Sequence, residues 1–476
     1  MEESEFMAWS IYTGPSNLHT VINDDNCPWV VGQWTGINKN TSKEEIKQDL
    51  DARIAYILRS FQKIIPLYKT YNRHFVLPEF FFHCKEGPYP NIKIDEQFYP
   101  LEYVVHKMKE ELKSIIPNDN NYYTVIIGSM LTSNISDYST FISSDSVVQR
   151  LEKLNDIVSS SLKLSSNKVH TSWLRNSSFL KKENSSDDLT AINDFMEECR
   201  ANPLATVRNR GIYFIYNKTL MKEVDYYVYE KQCESTVDLT MGIIEQNKIS
   251  TGGMITEWMA NYPSYSIIKG DKQINKLSTN SRFTPEFLGN CDIGVEICLD
   301  HRFQRLRRTV DMTKVCGADT DNFPIIRQFI PSGGMQILDY SVAANCSSVI
   351  FNADGCDKVY TEYGNESTVI LNGEAGAYKG ITCGVYTKSI QSKWVDKLGN
   401  TCYSHSQLSF TTHNSEIGGF NNALGLNNVK ASTYKAEEGN IQNALTDSYK
   451  PIVIDLNEDS DLFAATMGEI HYYQPK

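Results

Sequence analysis

The residues best suited to chemistry in this sequence stand at the ends of apolar runs. The sharpest is Cys298, in Asp292-Ile-Gly-Val-Glu-Ile-Cys-Leu-Asp-His-Arg-Phe303. The pattern predicts a short buried strand over Ile293 to Cys298 that delivers a thiol to a strand-to-helix turn. There the positive end of the following helix favours thiolate, the nucleophilic form. Such a thiol can attack an electrophilic carbon and form a covalent intermediate. A cysteine on a buried strand is commonly plain core, however, and the chain has 11 cysteines. His301 would suggest a papain-like thiol–imidazole pair, but three residues across a tight turn make that hydrogen bond awkward.

Two further groups share the placement. His74-Phe-Val-Leu-Pro-Glu79 reads as an apolar strand stopped by proline, with a carboxylate at its exit. A rigid, partly desolvated carboxylate there is suited to general-base work. Lys231 follows the tyrosine-rich strand Tyr226 to Tyr229, whereas most lysines, such as nearby Lys218 and Lys222, are simply solvated.

Together these blocks resemble the nitrilase superfamily of carbon–nitrogen hydrolases. Gly294, Ile297, Cys298, Asp300, Arg302 and Phe303 match its nucleophile motif, while Leu299 and Gln304 depart from the usual aromatic and proline. Val76-Leu-Pro-Glu79 resembles the motif whose glutamate is the general base. Tyr229-Glu-Lys231 resembles the Tyr-x-Lys motif whose lysine stabilises the tetrahedral intermediate. Gly128-Ser129 looks like part of the family's second strand, Asn209 like an asparagine before the next hairpin, and Ser341 to Asn345 like a helix of small residues. Gly364-Asn-Glu-Ser367 followed by Asn372-Gly373 resembles its closing hairpin. The resemblance implies a four-layer α-β-β-α sandwich and catalysis by Glu79, Lys231 and Cys298, with the backbone N–H of Leu299 as a second oxyanion donor. It also implies a second glutamate, for which Glu245 is the candidate and Glu257 the alternative. No metal or organic cofactor is implied. The substrate would be a small amide, carbamoyl compound or nitrile, and the assembly a homo-oligomer. The rival reading is a catalytically retired scaffold of this type that serves as an interaction protein.

The elements that must position these groups follow an α/β rhythm. Pro28 to Trp34 reads as a strand. Ser42 and Glu45 form a capping box ahead of Ile46, Leu50, Ile54, Leu58 and Phe61, which predicts a helix. A second helix is predicted over Leu101 to Ile115, and strands over Tyr122–Gly128, Gly211–Tyr216, Asp225–Tyr229, Ser347–Phe351 and Ser367–Leu371. Strand and helix alternate as an α/β fold requires. The hydrolase domain is expected over residues 25–410, with a Ser/Asn-rich insertion over about 132–205 and a C-terminal extension over 411–476. The insertion's polar composition suits it to decorate the core rather than build it. The 27 tyrosines, several in adjacent pairs, are expected on half-buried strands.

Composition excludes other classes. A net charge of −12 argues against a nucleic-acid-binding face over the whole chain. No run approaches the about 20 apolar residues of a membrane helix. The acidic start lacks the order of a signal peptide, and odd-numbered cysteines without C-x-x-C spacing suit a reducing, cytoplasmic setting. The nine histidines show no zinc-binding spacing. Arg302, Arg305, Arg307 and Arg308 are expected to line a solvated helix face.

Overall fold

The computed structural model describes residues 4–13, 42–83, 88–134, 207–231, 266–269, 272–275, 293–307, 327–338, 341–344, 348–356, 368–371, 385–395, 399, 401–411, 449–455 and 468–475, with single helical positions at 145, 149, 153 and 194. The architecture is mixed α/β, with two mixed sheets and few helices among the described residues.

In chain order the first half runs β1 (Ser4–Ser10), α1 (Lys43–Ile64), β2 (Asn72–Val76), β3 (Tyr89–Pro90), α2 (Pro100–Ile115), β4 (Tyr122–Ser133), β5 (Val207–Tyr216) and β6 (Asp225–Glu230). There follow β7 (Ser266–Lys269), β8 (Lys272–Asn275), β9 (Ile293–Val295), the single turn α3 (Leu299–Arg302), β10 (Arg327–Ser332) and β11 (Val349–Asp354). The last strands are β12 (Thr368–Leu371), β13 (Val385–Val395), β14 (Thr401–Thr411), β15 (Tyr449–Asp455) and β16 (Glu469–Pro475). The larger sheet is ordered β15-β16-β1-β2-β4-β5-β6-β7-β8, with β3 beside β4, and the smaller β12-β13-β14-β11-β10-β9.

Helix α1 begins as expected. Ser42 accepts from the Glu45 N–H and the Glu45 carboxylate returns to the Ser42 N–H, at 3.1 and 3.2 Å. Its apolar stripe of Ile46, Leu50, Ile57 and Phe61 packs with Val104, Met108 and Leu112 of α2 on one face of the large sheet. That face is built from Met7, Phe75, Leu77, Val125 and Phe214. The other face, with Phe6, Val76, Ile126, Tyr213 and Tyr227, meets Val295, Phe329, Val349, Phe351 and Leu408 of the small sheet. Each such side chain contributes about 1.5–3 kcal/mol when removed from water. The tyrosine pairs follow from this double burial. Tyr226 and Tyr472 join the helix-side core, while their neighbours Tyr227 and Tyr473 join the core between the sheets. A period of two turns adjacent residues to opposite faces.

Several expectations need correction. Thr132 and Ser133 lie within β4, so the Ser/Asn-rich stretch begins later. Within that stretch Asp145, Gln149, Lys153 and Asp194 are helical and exposed; its remaining positions lie outside the described residues. The expected strand over Pro28 to Trp34, the hairpin of Gly364 to Gly373 before and after β12, Arg308, and both Glu245 and Glu257 lie outside them too. The 25–410 boundary is too narrow at both ends, because β1, β15 and β16 are ladder-paired members of the large sheet. The stretch around Ser341 is not a regular helix. The N–H groups of Ala343 and Ala344 turn to the side-chain oxygen of Gln328, at 2.9 and 3.2 Å, instead of helical carbonyls. These residues cover the outer face of the small sheet with Leu306, Ile330 and Ile350. Arg307 is likewise no solvated cation; it is buried and donates to the Val342 carbonyl. Among the described residues no helix is long and apolar enough to cross a membrane.

Candidate active site

The chain after β2 carries Glu79 into the seam between the sheets. Its backbone N–H donates to the Ser332 carbonyl (3.2 Å), and its carbonyl accepts from the Thr13 hydroxyl (2.6 Å). Phe80 follows in a left-handed conformation, φ 61°, with its N–H on the Ser129 hydroxyl. A kink in β4 makes room for this exit. The register shifts between Ile126 and Ser129, and Gly128, at φ 58°, passes so near Pro78 that a Cβ would stand 1.9 Å from its carbonyl oxygen. Only glycine fits there. From the helix side, the buried Asp49–Arg53 pair (3.0 Å) fastens the next residues, since Arg53 donates to the Phe81 carbonyl at 2.6 Å.

Lys231 emerges from the end of β6, and its Nζ donates to Glu79 Oε1 at 2.8 Å although 152 positions separate them. Both side chains are almost wholly buried, 2% and 0% exposed. A buried ion pair persists only when further hydrogen bonds complete it. Asn209 on β5 supplies one, its Nδ2 donating to the same Glu79 oxygen at 2.8 Å, while its backbone carbonyl accepts the Lys231 N–H at 2.9 Å. One residue thus anchors both partners. The Lys231 ammonium also lies 5.5 Å from the centre of the Phe80 ring, a cation–π contact. The resemblance had suggested Asn209 only as a hairpin marker; its grip on the glutamate is visible only once β5 and β6 are paired.

Cys298 arrives from the other sheet. Beyond β9, the Glu296 N–H bonds to Phe329 and the Cys298 N–H to the Pro331 carbonyl (3.0 Å), extending the alignment with β10. The consecutive carbonyls of Pro331 and Ser332 therefore hold the backbones of Cys298 and Glu79. The thiol also shares a packed cluster with Val76 and Tyr229, from the strands that lead to Glu79 and Lys231. Cys298 is 5% exposed and has φ 45°, ψ −108°, a strained backbone for any residue but glycine. Leu299, the expected second oxyanion donor, opens α3 and is half-buried. The helix is shorter than expected. It stops after one turn at Phe303 and Gln304, whose φ is 59°, so its dipole is far weaker than that of a full helix.

The turn is braced from behind. Buried Glu296 accepts from Gln328 Nε2 at 2.6 Å and from the Leu306 N–H at 3.2 Å, and meets His301 Nδ1 at 2.7 Å. His301 Nε2 in turn accepts the Leu338 N–H at 2.9 Å, which assigns the ring proton to Nδ1. Both imidazole nitrogens are committed away from the thiol, and the papain-like arrangement is excluded. Below Glu79, Asp354 gathers the Ser332 hydroxyl and the N–H groups of Gly334 and Met335 on one carboxylate oxygen, at 2.6–2.7 Å. That fixes the Gly333–Gly334 loop, where a Cβ on Gly333 would stand 2.9 Å from the Phe80 ring.

Glu79 and Lys231 thus form a buried carboxylate–ammonium pair at the ends of their strands, and Cys298 is a buried thiol beyond the end of β9, in the same packed cluster as Val76 and Tyr229. Neither a model of a known protein family nor a curated protein matches the sequence.

Proposed function

We propose that this protein is a thiol-dependent hydrolase of non-peptide carbon–nitrogen bonds, built as a four-layer sandwich of the nitrilase type. The observation that carries the reading is the buried Glu79–Lys231 pair, brought together across 152 positions and tied to Cys298 through neighbouring carbonyls of β10. In this reaction Glu79 takes the thiol proton as Cys298 Sγ attacks the carbonyl carbon of an amide or carbamoyl group. Lys231 and the Leu299 N–H hold the developing oxyanion. Collapse of the intermediate expels the amine, which leaves with the proton from Glu79. Water, deprotonated by Glu79, then cleaves the thioester and frees the thiol. A nitrile would enter the same site through a thioimidate on Cys298. With this reading go a homo-oligomer working in the cytoplasm and chemistry without metal or organic cofactor.

The test is a screen of purified protein for ammonia release across amides, carbamoyl compounds and nitriles. Mass spectrometry would follow acyl adducts on Cys298, with Cys298→Ala as control. Turnover or an adduct that disappears in Cys298→Ala is the expected result. Wild-type protein that neither releases ammonia nor acylates across the panel would turn the assignment to a retired scaffold.

A further inference from the structure

On the inter-sheet face of β5 and β6, four residues form one patch. Gly211 stands opposite Tyr229 in the ladder, and Asn209 is bonded to Lys231 one step further along. The Tyr229 ring lies flat over Gly211. A Cβ there would stand 2.2 Å from Tyr229 Cζ and 2.4 Å from its hydroxyl oxygen. Glycine is therefore what lets the phenol lie along the sheet beside the ion pair.

The hydroxyl is buried, and among the described residues it has no hydrogen-bond partner. A phenol in a dry core normally finds a partner, because leaving it without one is costly. Burial, and then the negative charge of Glu79, hold this phenol well above its usual range, so it remains a proton-bearing donor. A fixed donor with no acceptor among the described residues, two residues before Lys231 and on the same face, suits an oxygen that arrives with the substrate.

Building on the hydrolase reading, we propose that Tyr229 is a further catalytic residue, whose hydroxyl donates to the acyl oxygen of the substrate and shares with Lys231 the charge that develops there. The role is one of hydrogen bonding, and no proton leaves the tyrosine. It also limits the substrate class to compounds presenting a hydrogen-bond acceptor on the attacked carbon.

The experiment compares two reactions of the same thiol in the full-length protein. Acylation by p-nitrophenyl acetate, read as a p-nitrophenolate burst, builds an oxyanion; alkylation by iodoacetamide does not. In Tyr229→Phe, which keeps the ring over Gly211, the burst rate should fall by roughly 10²-fold, the usual effect of losing one oxyanion donor. The alkylation rate of Cys298 should stay within twofold, and the melting temperature should be no lower than that of the wild type. If both rates fall together, Tyr229 positions the thiol and the proposal is wrong. If neither changes, the hydroxyl is idle and the proposal is equally wrong. A wild-type protein that shows no burst beyond Cys298→Ala removes the hydrolase reading and this inference with it, whereas a burst that Tyr229→Phe reproduces removes this inference alone.

Discussion

At the end of the large sheet, Glu79 and Lys231 are fixed side chain to side chain, with Asn209 holding both. At the end of the small sheet, Cys298 is fixed through its backbone, by Pro331 in front and by the Glu296–His301–Gln328 network behind. The first corner depends on matched charges in a dry place, and losing one member leaves another stranded. The second depends on a strained turn that other residues hold in shape, so the thiol itself contributes little to its own placement. The Glu79–Lys231 corner is therefore expected to couple function to stability, and the Cys298 corner to separate them.

The largest expected effect tests that separation. Cys298→Ala should abolish turnover on any confirmed substrate while its melting temperature stays within a few degrees of the wild type, because the hydrogen bonds described for the turn run through the Cys298 backbone and through the side chains of other residues. Cys298→Gly should be the more stable of the two by about 1 kcal/mol, since glycine adopts φ 45° without strain. A large loss of stability in Cys298→Ala would show that the thiol helps hold the turn.

Lys231→Ala comes next. It should lower kcat by roughly 10²–10³-fold, and it should also destabilise the fold by about 3–5 kcal/mol by leaving the Glu79 carboxylate buried without its counter-charge. Urea unfolding beside steady-state kinetics would read both. Glu79→Gln keeps a hydrogen-bonding group of the same shape; with an activated substrate that Cys298 can still attack, it should slow deacylation, so an acyl adduct on Cys298 should accumulate in the mass spectrum. A Lys231→Ala protein as stable as the wild type would break the contrast between the corners.

Smaller effects sharpen it. Asn209→Ala removes one bond to a charged carboxylate, worth about 1.5–3 kcal/mol, and should appear in kcat as well as in stability. His301→Ala removes a contact to Glu296 and leaves the Leu338 N–H without its acceptor, costing about 1–3 kcal/mol. It should appear in stability, with iodoacetamide alkylation of Cys298 changed far less. Reversal of this pattern would mean that the bracing network, and not the polar corner, sets the chemistry.

A final effect concerns pH and lies outside both corners. His74 is packed between Phe6 and Phe329, at ring distances of 4.9 and 5.2 Å. Burial, then nearby Arg327, push its pKa well below the ordinary value. His471, between the hydroxyls of Ser392 and Ser406, is pushed down to about 3 by burial and then by His405. Both are neutral in the fold but bind protons in the unfolded chain below about pH 6.5. Stability should therefore fall as pH drops through that value, by about 1.4 kcal/mol per pH unit for each histidine, and level off below the folded-state pKa. His74→Phe should shallow this acid limb, as urea midpoints between pH 7 and pH 4 would show. An unchanged slope would exclude His74 as a contributor.

Much of this architecture was legible because its signals are local. The Ser42–Glu45 box and the stripe of α1 each depend on residues a few positions apart; the paired tyrosines, expected on half-buried strands, are instead buried on both faces of the large sheet. The one-turn length of α3 and the irregular stretch after Ser341 were not legible, because distant groups decide them. Gln328 captures two N–H groups that a helix would have used internally. The membership of β1, β15 and β16 in the large sheet was hidden for a similar reason, as ladder partners carry no mark in sequence.

The candidate site divides along the same line. Strand-terminal placement of Glu79, Lys231 and Cys298 could be read from apolar runs, a proline stop and short motifs, since a strand's end is set by its own residues. That Glu79 and Lys231 are partners, that Asn209 grips both, and that Tyr229 lies flat over Gly211 was decided by the pairing of β5 with β6 and by the packing of one sheet on the other. Hydrogen bonds between side chains depend on distances of a few ångströms, and only folding brings residues 152 positions apart within that range.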